Sequence, residues 1–148
     1  MLFRSAAAEL VALLSFAATQ NGDRVGMLTF SEGPEAFVRP AAGTRHALRL
    51  VRDVISATPA LGRRTNIAAA ADYLARVVRR RSIVFVISDF LDAGFEESLR
   101  GLARHHQVVA LTLTDPHDVD LPNVGLAAVA DAETLGHVLL VHLERKAG

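Results

Sequence analysis

Three runs of the sequence, VGMLTF at 25–30, IVFVI at 83–87 and VVALTLT at 108–114, are apolar on nearly every residue rather than on alternate ones. A strand of that kind is covered on both faces, as in a parallel sheet flanked by helices; a one-sided antiparallel sheet would alternate. The stretches between them have a helical period. Ile67, Ala70, Ala71, Leu74 and Val78 share one helical face, and Leu10, Leu13, Leu14 and Ala17 form a stripe within residues 2–20. Strands alternating with helices imply an α/β fold with a mostly parallel sheet. The length of 148 residues, 51% of them hydrophobic, suits one domain spanning residues 1–148.

The remaining elements follow from local signals. NGD at 21–23 marks a turn out of the first helix. SEGPEAFVRP reads as a turn into a short edge strand bounded by Pro34 and Pro40. Thr44 is placed to cap a helix through residues 45–57, with Leu48, Val51 and Ile55 on one face. TPALGRR is a loop, Thr65 opens the next helix, and another helix is expected near residues 94–106. The tail GLAAVADAETLGHVLLVHL reads as two strands around an AET turn.

Composition excludes several classes. Sixteen Lys and Arg balance sixteen Asp and Glu, so no net field draws the chain to nucleic acid or an anionic membrane. With no cysteine, disulfides and thiolate zinc sites are excluded. No run reaches the ~18 apolar residues of a membrane span. Glu9 interrupts what would be the core of a secretory signal, so residues 2–20 read as a helix of the domain and a cytoplasmic location is expected. The G-x-G-x-x-G, G-x-x-x-x-G-K-[ST], G-x-S-x-G and H-E-x-x-H motifs are all absent. His105 and His106 fall at a helix C-terminus, where imidazolium complements the dipole, and Arg79, Arg80 and Arg81 read as another solvated helix end.

In sheets of this kind functional groups gather at the carboxyl ends of the strands. Ser31, Asp89 and Asp115 each follow a strand there. Thr65, in the loop before a helix, and Asp89 form a hydroxyl–carboxylate pair suited to a hard cation such as Mg²⁺ or Mn²⁺. The plainer alternative is that Thr65 caps its helix and Asp89 accepts loop amides. Asp89 and Asp92, in SDFLD, also supply paired carboxylates for a small Mg²⁺-dependent hydrolase, but no nucleophile, base or phosphate loop accompanies them.

The segments NGDRVGMLTFSE, GTRHALRLVRDV, RRTNIAAAADYLARVVRRRSIVFVISDFLDAGFEESLRGLARHHQVVALTLTDP and LPNVGLAAVADAET resemble the bacterial family called domain of unknown function 58. The conserved half of that family is similar to a von Willebrand factor A domain. The resemblance implies a Rossmann-like sheet with a metal-ion-dependent adhesion site. That site consists of an Asp-x-Ser-x-Ser after the first strand, a Thr in a later loop and an Asp after the fourth strand. Thr65 and Asp89 match the last two parts. No Asp-x-Ser-x-Ser is present. The chain is therefore expected to lack the central first strand, being N-terminally truncated or a site-less paralogue.

The resemblance implies a non-enzymatic protein-interaction module that partners a MoxR-type AAA+ ATPase and binds Mg²⁺ or Mn²⁺ weakly. Without the central strand, the strands at 24–30 and 83–88 would carry open edges. A homodimer through those edges is the expected relief.

Overall fold

The computed structural model describes residues 2–57, 65–114, 128–129 and 137–143. The elements in chain order are α1 (Leu2–Gln20), β1 (Arg24–Phe30), β2 (Pro34–Ala41), α2 (Thr44–Ser56), α3 (Ile67–Val77), β3 (Ile83–Ser88), α4 (Glu96–Ala103), β4 (Gln107–Thr114), β5 (Ala128–Val129) and β6 (His137–Leu143). The fold is α/β, and the strands form one sheet in the order β2-β1-β6-β3-β4-β5. The loop TPALGRR, Asp115 and the AET turn lie outside the described residues.

The sheet is mixed, which corrects the mostly parallel expectation. β3–β4 and β4–β5 pair in parallel, whereas β1–β2, β1–β6 and β3–β6 are antiparallel. Strands β1, β3, β4 and β5 thus share one direction, and β2 and β6 oppose it. A second correction concerns the expected open edges. β6 lies between β1 and β3 and pairs with both, from Arg24↔Leu143 to Phe30↔His137 on one side and from Ile83↔His142 to Ile87↔Val138 on the other. The central slot is therefore filled from within the chain, and the described sheet ends at β2 and β5. His142 Nε2 and Asp23 Oδ2, 2.8 Å apart, tie β6 to the turn before β1. Periodicity identifies a strand and its faces but not its neighbours, so a segment legible as a strand gave no hint of this position.

Alternation along each strand sorts the core into two layers. Val25 and Met27 of β1, with Ile87, Leu111, Leu113 and Val138, pack against α1 and α2. Leu28 and Phe30, with Val84 and Val86, pack against α3 and α4. On α3 the buried residues are Ile67, Ala70, Ala71, Leu74 and then Val78 at its end, as their spacing predicts. The other two long helices turn differently from expectation. In α2 the buried face is Ala47, Leu50 and Val54, while Leu48 and Ile55 are more than half exposed. In α1 it is Ala7, Ala8, Val11, Ser15 and Ala18, with Leu13 exposed. Small residues win these interfaces because α1 packs closely on both α2 and the sheet.

Three local assignments also change. Gly43, at φ 101°, is the N-cap of α2 and offers no side-chain bond; Thr44 is the first helical residue. Asn66, not Thr65, caps α3. His106 is buried, and its Nδ1 accepts the Ser82 N–H at 3.1 Å. Burial pushes its imidazole below the ordinary range, His105 and Arg81 add to this, and the Val78 backbone opposes it. A neutral ring bolting β3 to β4 replaces the imidazolium expected at a helix end.

Candidate functional site at the carboxyl ends of β1 and β3

Three segments converge where β1 and β3 end. The Asn66 N–H donates to the Ser31 carbonyl at 2.7 Å, which ties the start of α3 to the loop after β1. Asp92 Oδ2 accepts the Ile67 N–H at 2.8 Å, which ties the same helix end to the loop after β3. Asn66 Oδ1 accepts the Ala69 N–H at 2.9 Å. The first turn of α3, whose N–H groups have no intrahelical partner, is thus held by the side chain of its own cap, Asn66, and by that of Asp92 from the loop after β3.

The loop after β3 is wound tightly. Ser88, fully buried, accepts the Phe90 N–H on Oγ at 3.0 Å, and Asp89 Oδ1 accepts the Leu91 N–H at 3.1 Å. Asp92 Oδ1 accepts the Ala93 N–H at 2.7 Å. Between them Phe90 adopts φ 56°, a left-handed conformation costly to a residue with a Cβ. Its ring lies 5.7 Å from that of Phe95, at the start of α4. Packing and three side-chain-to-backbone bonds therefore hold a strained turn, and the next residue, Leu91, projects into solvent at 80% exposure.

The two expected cation ligands fall within this cluster. Thr65 precedes the cap of α3, and Asp89 begins the loop that Asp92 fastens to the same helix. Both are half-buried. Asp92 engages both carboxylate oxygens with backbone N–H groups, and Ser88 Oγ already serves Phe90. Among the described residues no three His, Asp or Glu side chains converge as metal ligands would. The sequence reading missed Leu91 and the structural engagement of Asp92. The pair Phe90-Leu91 between two aspartates after a buried strand was the available signal.

The site is thus a rigid loop cluster on an α/β domain that presents an exposed leucine beside a carboxylate. The chain matches the family described as "Protein of unknown function DUF58" over residues 2–147, and it belongs to that family. It is 34% identical over 133 residues to uncharacterized proteins of Mycobacterium tuberculosis and Mycobacterium bovis, covering 88% of this chain and 42% of each relative. It is 39% identical over 98 residues to an uncharacterized protein of Mycobacterium avium, covering 64% of this chain and 58% of that relative. The chain thus spans less than two thirds of the relatives' length. No solved structure matches it. No helix among the described residues is long and apolar enough to cross a membrane.

Proposed function

We propose that this domain is a non-enzymatic protein-interaction module of von Willebrand factor A-like type, and that it docks a MoxR-type AAA+ ATPase through the loop cluster after β1 and β3. The observation that supports this reading is Leu91, 80% exposed on a turn held by Ser88, Asp89 and Phe90. An apolar side chain held out on a preorganised turn, beside a carboxylate, has the character of an interface anchor, because little ordering entropy remains to be lost on binding. Thr65 and Asp89 are the residues that would hold Mg²⁺ or Mn²⁺ there, with water completing the shell, so the cation contributes weakly. The engagement of both Asp92 oxygens supports a structural role for the second carboxylate of SDFLD rather than a hydrolytic one.

Calorimetry with a purified MoxR-type ATPase from the same source tests the proposal. Binding should weaken at least about tenfold in Leu91→Asp, the loss of one well-buried anchor. Asp89→Ala should weaken it less, and more so with Mg²⁺ than with chelator. Absence of binding, or binding indifferent to both substitutions, overturns the reading.

A further inference from the structure

At the opposite end of the sheet, a cleft of about 610 Å³ opens between β1, β2 and the end of α3. Its walls carry four arginines, Arg24, Arg39, Arg79 and Arg80, and the apolar and aromatic side chains of Phe37, Pro40, Tyr73, Val77 and Val78. Among the described residues no carboxylate lines it. Among the described residues none of the four arginines has a salt bridge; the ion pairs found are Arg49–Asp53 on α2 and His142–Asp23, the latter beside Arg24 in the chain. All four arginines are exposed, and in a chain of zero net charge their grouping around one cleft biases that surface toward anions. Helix-end complementarity does not account for them. Arg76 already occupies the last turn of α3, and Arg24 and Arg39 come from strands.

The fold builds this arrangement. Arg24 has the parity of Leu28 on β1, on the sheet face that α3 covers, and Arg39 reaches the same cleft from the irregular stretch of β2 between Val38 and Ala41. Gly26 has no side chain on that face, and a Cβ there would lie 2.8 Å from Pro40 Cδ, so Pro40 occupies the space. Phe37 and Tyr73 meet edge to face, 6.0 Å between centroids, and join sheet to helix at the cleft. Its volume falls in the range of small-molecule sites, roughly 300–1,000 Å³. Guanidinium forks suit phosphate oxygens in bidentate pairs, and an aromatic and aliphatic wall suits a flat organic body.

We infer that this cleft is a binding site for a polyphosphate-bearing small molecule, of nucleoside di- or triphosphate type. The arginines take the phosphates and the Phe37–Tyr73 wall takes the organic part. The site is separate from the proposed docking loops and requires neither a phosphate loop nor a cation.

Tyr73 is the single tyrosine of a chain without tryptophan, so intrinsic fluorescence reports on the cleft alone. Titration with sodium tripolyphosphate, which does not absorb, should change that signal saturably. Calorimetry with ATP and with tripolyphosphate distinguishes the two sources. Tighter binding of ATP than of tripolyphosphate supports the inference; equal or weaker binding of ATP removes the role given to the Phe37–Tyr73 wall and overturns it. Arg39→Gln and Arg80→Gln should each weaken binding roughly three- to tenfold, as expected for one charge-assisted contact. Arg49→Gln, which removes the same charge from α2, should leave it unchanged. Thermal melts matching the parent confirm that each variant is folded. Absence of binding, equal weakening by Arg49→Gln, or tighter binding of an oligoglutamate peptide than of either phosphate overturns the inference.

Discussion

Ser15, on α1, is 0% exposed, and its hydroxyl has no hydrogen-bond partner among the described residues. A buried hydroxyl of that kind costs on the order of 1 kcal/mol or more relative to water. Ser15→Ala should therefore raise the urea midpoint without changing the slope of the transition. Gly26 is the opposite case. A Cβ at that position would meet Pro40 N and the Val38 carbonyl at 2.8 Å, and backbone must shift to admit it. Gly26→Ala should destabilise by about 1–3 kcal/mol, read from the same measurement. His106 makes stability depend on pH. Its folded pKa lies below the unfolded value near 6.5 because burial disfavours the imidazolium. Its contribution is complete above about pH 6.5 and declines as pH falls toward the folded value, because only the unfolded chain then takes up the proton. Unfolding free energies at pH 7.5 and 5.5 should differ more for the parent than for His106→Asn.

At the scale of elements, the N-terminus of α3 is the joint of the candidate site. Asn66→Ala removes its cap and should cost about 1 kcal/mol. Asp92→Ala removes two bonds to backbone N–H groups and should cost on the order of 2 kcal/mol, with faster hydrogen exchange confined to residues 67–69 and 89–94. Much of this joint was legible in the sequence. The face of α3 follows from strict spacing of Ile67, Ala70, Ala71 and Leu74, and the end of β3 follows from an apolar run that stops at Ser88-Asp89. The faces of α1 and α2 were less legible. Alanine is apolar enough to be buried and small enough to be exposed, so Ala7, Ala8 and Ala47 carry no strong period, whereas close helix packing selects them over Leu13 and Leu48. The cap lies one residue further on because Thr65 and Asn66 are both competent cap types, and it is the Asn66 side chain that accepts the Ala69 N–H.

At the scale of the molecule, β6 decides how the sheet behaves. With β1 and β3 both paired to it, the open central edges that would favour self-association are absent from the described sheet. The intact chain should sediment without concentration dependence, whereas a chain ending at residue 136 should form larger species as β1 and β3 seek partners. This position was not legible in the sequence because pairing order is a property of the assembled sheet. The position of β6 also has a consequence in time. Asp23 and His142, hydrogen-bonded across the middle of the sheet, are 119 residues apart in the chain. Contacts of such separation close slowly, since a long loop loses its freedom before the ladder forms. On the ribosome the four helices and the flanking strands β1, β2, β3 and β4 all emerge before the strand that joins their two halves. Until synthesis reaches residues 137–143, β1 and β3 should therefore each keep an apolar edge that β6 has not yet covered, open to the translation machinery and its chaperones.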